Sequence, residues 1–204
     1  MFTISDLIYV IPALIISLGI HEATHAYTAH ALGDNTALNA GRLTLNPLKH
    51  INLYATIILP VITIALFGFP MLIAKPVPFN PYKVKFGEYG AALVGISGPL
   101  INLVMAIITA IFLRFLTFPF DIEKFLLIFT ELNVISFIIN MIPIPPLDGS
   151  RLLYALAPRE LQKIMNRIES FGYLAILAIF LLVFNFIYAP IDYCYVHLMN
   201  VLLG

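Results

Sequence analysis

Residues 5–32 read SDLIYVIPALIISLGIHEATHAYTAHAL, and this stretch is the most informative part of the chain for both fold and chemistry. Ser5 is a suitable N-cap for a helix, and Gly33 and Asp34 provide a stop signal after Leu32. The first half is apolar, whereas the second half carries three histidines and a glutamate. An apolar run of this kind approaches the ~20 residues that a helix needs to cross the hydrocarbon of a bilayer. The stretch therefore predicts a first membrane helix whose second half carries a cluster of polar side chains.

The composition of the whole chain agrees with a membrane protein. Of its 204 residues, 61% are hydrophobic and only 11% are charged, a balance too apolar for a water-soluble domain of this size. The 11 basic and 11 acidic residues cancel, so the net charge gives no indication of nucleic-acid binding. The single cysteine, Cys194, excludes an intrachain disulfide and a Cys-rich zinc module. Any bound metal would therefore be held by histidines and carboxylates.

The order of apolar and polar segments predicts an all-α polytopic membrane protein. We expect about five to six transmembrane or re-entrant helices, with full crossings near residues 5–32, 89–115, 125–142 and 172–188. Residues 55–74 are apolar but contain two prolines, so this segment can enter the bilayer and return. Residues 158–170 place apolar side chains at helical spacing among charges, which predicts a helix lying in the interface. Residues 41–45 alternate in polarity and predict a short surface β-strand or hairpin.

The motif His21-Glu22-Ala23-Thr24-His25 is the strongest signal for chemistry. Residues four apart on a helix share one face, with Cβ atoms ~5–6 Å apart, so His21 and His25 can bind the same ion. Glu22 then projects beside that ion, where it can accept a proton from a bound water and return it to the departing amine. The same motif arises by chance in ordinary helices of soluble proteins. In a membrane helix, however, a buried ionisable group costs on the order of 3 kcal/mol, which favours a metal site here.

A catalytic zinc site has three protein ligands and leaves one position to water, so a third ligand must come from elsewhere in the chain. His30 is five residues past His25 and is rotated off the ligand face. His50 falls in an irregular loop, and His197 has no motif around it. Asp148 is better placed, because it follows an apolar span in a proline-broken stretch, and irregular backbone at that depth must be buried in protein or line a cavity. The alternative is an aspartate in an interfacial turn.

With these residues, the chain resembles the site-2 protease family of intramembrane zinc metalloproteases, in its short form without a PDZ or CBS domain. The resemblance covers most of the chain. It rests on HEATHA at 21–26, GRLTLNPL at 41–48, AKPVP at 74–78, SGPLIN at 97–102, and NMIP at 140–143 running into PLDG at 146–149. The chain departs from the family at Ser150, where a second glycine is common, and at Asn52, where an aspartate is common. Neither departure touches the proposed ligands, so they bear on substrate preference more than on chemistry.

The resemblance implies Zn²⁺ as the cofactor and assigns further roles. Asp148 becomes the third zinc ligand, and Asn140 becomes a polar group that holds the substrate backbone or the developing oxyanion. Judged from the residues alone, Asn140 is only an amide on an apolar helix. Asn102 either has a similar substrate-binding role or ties two helices together. Ser97 lacks a base partner, so we reject a serine mechanism.

The predicted strand suggests how a substrate is held. Helical peptide bonds are shielded by their own hydrogen bonds, so a transmembrane substrate must first unwind. The edge of residues 42–45 can then supply main-chain hydrogen bonds that water cannot, with Leu43 and Thr44 as substrate-binding residues. The alternative is a surface strand that only orders the loop.

The charge distribution predicts the topology. Both parts of the zinc site must lie at one depth, which favours a re-entrant path for residues 55–74. With that path, nine of the eleven basic residues lie on one side of the membrane, against Arg114 and Lys124 on the other. The positive-inside rule then predicts an integral, multi-pass membrane protein with an external N-terminus and an active site nearer the cytoplasmic face.

We therefore expect a single intramembrane metalloprotease domain over residues 1–204, with a zinc-site core at about 5–151 and C-terminal interfacial and transmembrane helices at about 157–204. Its expected activity is hydrolysis of peptide bonds in or near transmembrane segments, and its expected partners are transmembrane protein substrates and the lipid bilayer. One rival is a divalent-metal transporter, which predicts ion flux and tolerance of Glu22→Gln. A second is an inactive relative that binds transmembrane partners without cutting them. The intact set His21, Glu22, His25 and Asp148 argues against the second rival.

Overall fold

The computed structural model describes residues 3–50, 76–171 and 173–204, together with residues 58, 61, 62 and 65. Seven α-helices lie in this part of the chain: α1 (Leu7–Ala31), α2 (Thr36–Asn39), α3 (Glu88–Phe115), α4 (Phe120–Asn140), α5 (Ser150–Leu156), α6 (Arg159–Glu169) and α7 (Tyr173–Leu203). Two 3-10 turns, Ile4–Asp6 and Pro47–Lys49, also lie there, and the isolated described residues 58, 61, 62 and 65 are helical. The predicted all-helical class is confirmed for these residues.

Local hydrogen bonds set the ends of α1. Thr3, rather than Ser5, is the N-cap of the 3-10 turn that leads into α1, and its N–H and O–H both donate to the Asp6 carboxylate, at 2.8 and 2.6 Å. At the other end, Gly33 has φ +102°, a left-handed conformation that ends helices and that glycine adopts without strain. The stop predicted after residue 32 is confirmed, because the cue for a helix end is local.

Helices α1, α3 and α4 pack against one another and form the centre of the molecule. An apolar cluster joins α1 to α4: Val10, Ala13, Leu14, Ile128, Phe129 and Leu132. Buried polar ties add to it, since the Ser17 hydroxyl lies 2.9 Å from Asn133 Oδ1 and donates to it. Hydrogen bonds of this kind hold helices together in lipid, where apolar burial alone gives no preference for protein contacts.

Among the described residues, two stretches are long and apolar enough to cross a membrane: Ile4–Ala31 and Glu88–Phe115, with 28 residues each. They match the crossings expected at residues 5–32 and 89–115. Helix α4 covers most of the crossing expected at 125–142. The re-entrant path expected for residues 55–74 lies largely outside the described residues.

The β-strand predicted at residues 41–45 is wrong. The backbone there is a turn followed by an irregular stretch, and no strand occurs in the described part of the chain. Local bonds use the groups that a strand ladder needs: Arg42 N–H donates to Ala37 O at 2.8 Å, and His50 Nε2–H donates to Thr44 O at 2.9 Å. Alternating polarity identified a half-buried segment, but a strand also needs a partner strand.

The C-terminal part contains one predicted helix, one missed helix and one that is longer than expected. Helix α6 confirms a helix at 158–170, whereas the seven-residue α5 was not predicted. Helix α7 continues through Pro190 to Leu203 instead of ending near residue 188. Proline is tolerated within membrane helices because neighbouring groups can satisfy the carbonyl that it leaves free.

Candidate metal centre

Three side chains from two distant parts of the chain converge at one face of α1. His21 and His25 lie one helical turn apart on α1, and their Nε2 atoms are 3.0 Å from each other. Asp148 Oδ2 lies 3.0 Å from His21 Nε2 and 3.3 Å from His25 Nε2. Both histidines are buried, and Asp148 is partly buried. The three potential ligand atoms thus face one small volume.

Hydrogen bonds on the far side of each imidazole orient it for metal binding. His25 Nδ1–H donates to the Val94 carbonyl at 2.7 Å. His21 Nδ1 lies 3.3 Å from Asn102 Oδ1, which places a second acceptor behind the second ring. A neutral histidine that donates from Nδ1 carries its lone pair on Nε2, the nitrogen that faces the shared volume. Helix α3 therefore sets the tautomer in which both histidines can act as ligands.

A single face of α3 accommodates the two imidazoles. Val94, Gly98 and Asn102 are spaced four apart, so they lie in a row along the helix. A Cβ on Gly98 would lie 2.3 Å from His25 Nε2 and 2.7 Å from His21 Cε1, closer than any real contact. Glycine is required at the middle of this row because the histidines fill the space that a side chain would need.

The loop after α4 brings Asp148 to the histidines. Gly149 N–H donates to Asn140 O at 2.6 Å, which turns the chain back at the end of α4. A Cβ on Gly149 would lie 2.5 Å from Met141 O, and one on Gly95 of α3 would lie 2.8 Å from Asp148 O. Two glycines without side chains thus let the loop approach both itself and α3.

Glu22 lies beside the triad and is buried. Its Oε2 accepts a hydrogen bond from Val77 N–H at 2.7 Å. The residue is one position along α1 from His21 and therefore shares its depth. That amide engages only one of the two carboxylate oxygens.

The residue set fits a zinc ion. Two imidazole nitrogens and one carboxylate oxygen form one of the ligand sets known for catalytic zinc. The three atoms all lie within 4.8 Å of one another, and no fourth His, Cys, Asp or Glu joins them among the described residues. Three protein donors leave the fourth tetrahedral position to water, as hydrolytic chemistry requires.

The other histidines do not join this cluster. His30 Nδ1 lies 2.7 Å from Asn35 Oδ1 at an exposed position, His50 is buried against the Thr44 carbonyl, and His197 stacks on Tyr193. Each therefore lies where its sequence context suggested, outside the ligand set.

The predicted substrate-binding residues occupy varied positions and remain predictions. Asn140 is half-buried at the end of α4, and its Nδ2 lies 3.4 Å from Ser136 Oγ. Asn102 is completely buried behind His21. Leu43 packs against the buried cluster of Ala26, Ala37 and Val77, and Thr44 Oγ1 accepts the N–H of Asn46 at 3.1 Å.

Sequence reasoning missed two contributors to the site, Val94 and Val77. Both act through backbone groups, the carbonyl of Val94 and the amide of Val77, so their side chains carry no signal. The SGPLIN motif follows Val94 and the AKPVP motif contains Val77, but nothing in the spacing of either motif indicates which main-chain atoms face the site.

Comparison with known proteins places the chain in a family. A family model described as Peptidase family M50 matches residues 117–184, and a relative in Bacillus subtilis (strain 168), "Putative zinc metalloprotease YwhC", is 36% identical over 188 residues. That alignment covers 88% of this chain and 83% of the relative. The chain belongs to peptidase family M50. The family-model match includes Asp148 but not the histidine motif.

Two further relatives of this M50 chain are also described as zinc metalloproteases. The Rip2 protein of Mycolicibacterium smegmatis carries the same description and is 31% identical over 176 residues, 84% of this chain and 66% of the relative. The Rip2 protein of Mycobacterium tuberculosis (strain ATCC 25618 / H37Rv) is 28% identical over 176 residues. That alignment covers 85% of this chain and 67% of the relative. No solved structure matches the chain. The predicted resemblance to site-2 proteases, which are zinc metalloproteases, is confirmed.

Proposed function

We propose that this M50 chain is an intramembrane zinc endopeptidase that hydrolyses peptide bonds in or near transmembrane segments of membrane proteins. The observation that carries the proposal is the convergence of His21, His25 and Asp148 beside the Glu22 carboxylate. Three donors with an open fourth position favour hydrolysis over structural metal binding, for which four protein ligands are usual. We further propose that residues 1–204 act as one catalytic domain.

Each residue of the site has a separate role in the proposed hydrolysis. His21, His25 and Asp148 would hold Zn²⁺, which when bound polarises a carbonyl and lowers the pKa of a water ligand to ~7. Glu22 removes a proton from the attacking water and delivers it to the leaving amine, so no covalent acyl intermediate is needed. Val94 and Asn102 keep the imidazole lone pairs directed at the metal position.

Asn140 is the proposed contact for the substrate backbone. It ends α4 at the point where the chain turns toward Asp148, and it is half-buried rather than enclosed. Its amide can donate to a peptide carbonyl and accept from a peptide N–H. Leu43 and Thr44 are proposed as further contacts for an unwound substrate, through an irregular backbone rather than a strand.

We propose a multi-pass topology with the active site nearer the cytoplasmic face. The nine-to-two distribution of basic residues supports it, and so does the contact between Lys85 N–H and Leu32 O at 2.8 Å, which puts residues 76–85 at the same end of the bundle as the end of α1. Cysteines introduced at exposed Lys49 and Lys83, with Cys194 replaced by serine, should be labelled from the cytoplasmic side. Cysteine at Glu123 should be labelled from outside, and labelling of Lys49 and Lys83 from opposite sides would refute the topology.

The deciding experiment is purification in detergent, zinc quantification and incubation with a panel of single-span peptides. Wild type should bind about one zinc per chain, as expected for a three-ligand site, and should cleave at least one peptide. Glu22→Gln should retain zinc and lose cleavage, and chelation should abolish cleavage in wild type. A transporter would instead give zinc flux into vesicles that persists in Glu22→Gln. An inactive relative would bind peptides without cutting any of them.

A further inference from the structure

The AKPVP motif at residues 74–78 has no role in the mechanism described so far. Its fourth residue, Val77, is the one position among residues 76–78 with a backbone N–H, because proline has none. That N–H donates to Glu22 Oε2 at 2.7 Å, in a buried environment. The motif thus presents one amide hydrogen to the proposed catalytic base.

The segment that carries Val77 is tied at two further points to the residues that directly follow α1. Asn80 N–H donates to Asp34 Oδ2 at 2.6 Å, and Lys85 N–H donates to Leu32 O at 2.8 Å. Asp34 is fully buried just after α1. Burial raises the pKa of Asp34, but hydrogen bonds from Thr36 and Asn80 outweigh burial and lower the pKa below its usual range. Asp34 therefore stays ionised and keeps the segment attached at neutral pH.

Side-chain contacts fix the segment laterally. The Val77 side chain is buried in a cluster with Ala26 and Ala37. Phe79 lies beneath the Arg151 guanidinium, 5.3 Å from the ring centroid, within the range of a cation–π interaction. Arg151 follows Asp148 by three residues, so the same segment contacts both the α1 side and the Asp148 side of the metal centre.

From these contacts we infer that the Val77 amide is a positioning group for Glu22, and that residues 76–85 are the element that holds it in place. The inference rests on the proposed function, because it assigns a role in the same proton transfer. A buried carboxylate with free side-chain torsions would sample several orientations. A hydrogen bond to one oxygen restricts these orientations and leaves the other oxygen available for the proton transfer.

The alternative is that residues 76–85 have only a packing role against α1. The two interpretations differ in which part of Val77 matters. Packing depends on the valine side chain, whereas positioning depends on the N–H. Substitution by alanine removes the side chain and keeps the N–H, and substitution by proline keeps an apolar side chain and removes the N–H.

The test compares Val77→Pro with Val77→Ala as purified, zinc-loaded proteins on a peptide that wild type cleaves. We expect kcat of Val77→Pro to fall roughly 10–100-fold, the usual cost of losing an outer-shell partner, with KM and zinc affinity unchanged. Val77→Ala should lose much less kcat than Val77→Pro, because alanine keeps the N–H. Equal losses of kcat in the two variants, or a kcat of Val77→Pro equal to wild type, would overturn the inference.

Hydrogen exchange provides a measurement that does not depend on Val77→Pro folding. Residues 76–80 hold three amide hydrogens, on Val77, Phe79 and Asn80, so one hydrogen bond is resolvable in a fragment that contains them. Glu22→Gln keeps an acceptor oxygen, whereas Glu22→Ala removes it. We expect one more fast-exchanging hydrogen in Glu22→Ala than in Glu22→Gln and wild type. Identical exchange in all three proteins would refute the contact.

The two proposals fail in different ways. If wild type cleaves no peptide while Val77 loses protection in Glu22→Ala as expected, the protease assignment fails and the contact stands. If wild type cleaves, Glu22→Gln does not, and Val77→Pro is fully active, the protease assignment stands and the positioning role fails.

Discussion

At the scale of single residues, the metal centre depends on atoms that face away from the metal. In the proposed site, each histidine has one nitrogen for the ion and one for α3, and the second decides whether the first carries a lone pair. His25 meets a backbone carbonyl, which no substitution removes, whereas His21 meets the side chain of Asn102. Asn102 is therefore the contact that mutation can test.

Replacing Asn102 should change zinc affinity according to whether an acceptor remains. Asn102→Leu removes the acceptor behind His21, and we expect zinc affinity to fall ~10–100-fold. Asn102→Asp keeps an acceptor in either orientation of the carboxylate and should bind zinc more tightly than Asn102→Leu. Competition with a chromogenic chelator measures both affinities. If Asn102 only ties helices together, the leucine and aspartate variants will show no such order.

Gly98 tests the space between α1 and α3. A methyl group at this position would overlap both imidazoles, so Gly98→Ala should abolish stoichiometric zinc binding. Leu100, two residues on, is 44% exposed, and Leu100→Ala should retain zinc. Metal analysis of the two purified proteins, with circular dichroism to verify helix content, is the measurement. Full zinc occupancy in Gly98→Ala would show that the helices separate at little cost.

At the scale of elements, short connections hold the long helices in register. Asp34 illustrates this: its Oδ1 accepts from Thr36 N–H at 3.0 Å and its Oδ2 from Asn80 N–H at 2.6 Å. One carboxylate thus joins the end of α1, the start of α2 and the segment that carries Val77. A second short connection joins α5 to the end of α6, through the ion pair between Arg151 and Glu169 at 2.5 Å.

Asp34→Ala should loosen the connection between α1 and residues 76–85. Two partly buried N–H groups lose their acceptor, at a cost of at most about 1–3 kcal/mol each in the free energy of unfolding. Asp34→Asn keeps acceptor capacity and should lose less stability. Thermal unfolding in detergent ranks the two variants against wild type. Equal stability of Asp34→Ala and wild type would show that the carboxylate is not a structural link.

The interfacial position proposed for α6 can be tested with two adjacent residues. Ile164 is 59% exposed, and the neighbouring Lys163 side chain is 70% exposed. In vesicles, a spin label at position 164 should be relaxed mainly by oxygen, and one at 163 mainly by a water-soluble nickel chelate, because the helix is amphipathic. The Cys194→Ser background prevents labelling elsewhere. Equal accessibility of both labels to the nickel chelate would place α6 in water.

At the scale of the whole molecule, the metal would join parts of the chain that covalent structure leaves far apart. Asp148 is 127 residues from His21, and the loop that bears it follows α4 rather than α1. Bound zinc should therefore stabilise the packing of α1 against the loop after α4, since a ligand that binds only the folded state raises its stability.

Zinc removal should accordingly lower the unfolding temperature of wild type. Asp148→Ala lacks one ligand, so added zinc should raise its unfolding temperature much less. The chain has no tryptophan, which makes circular dichroism a better probe than intrinsic fluorescence. Identical zinc-dependent shifts in wild type and Asp148→Ala would mean that Asp148 is not a ligand.

Features that depend on neighbouring residues were readable from the chain alone. The pairing of His21 and His25 follows from helical periodicity, the end of α1 from Gly33, and the α-helical membrane class from long apolar runs, since each cue acts within a few residues. The positions of Val94, Gly98 and Val77 came only from packing, because their backbone atoms reach the site when separate helices and loops meet. The same cause explains the error at residues 41–45, where polarity alternates as in a strand, yet hydrogen bonds to residues 37 and 50 form a loop. The convergence of Asp148 on the histidines was expected from family resemblance, but its distances are set by two glycines that allow the loop to approach α3 and itself.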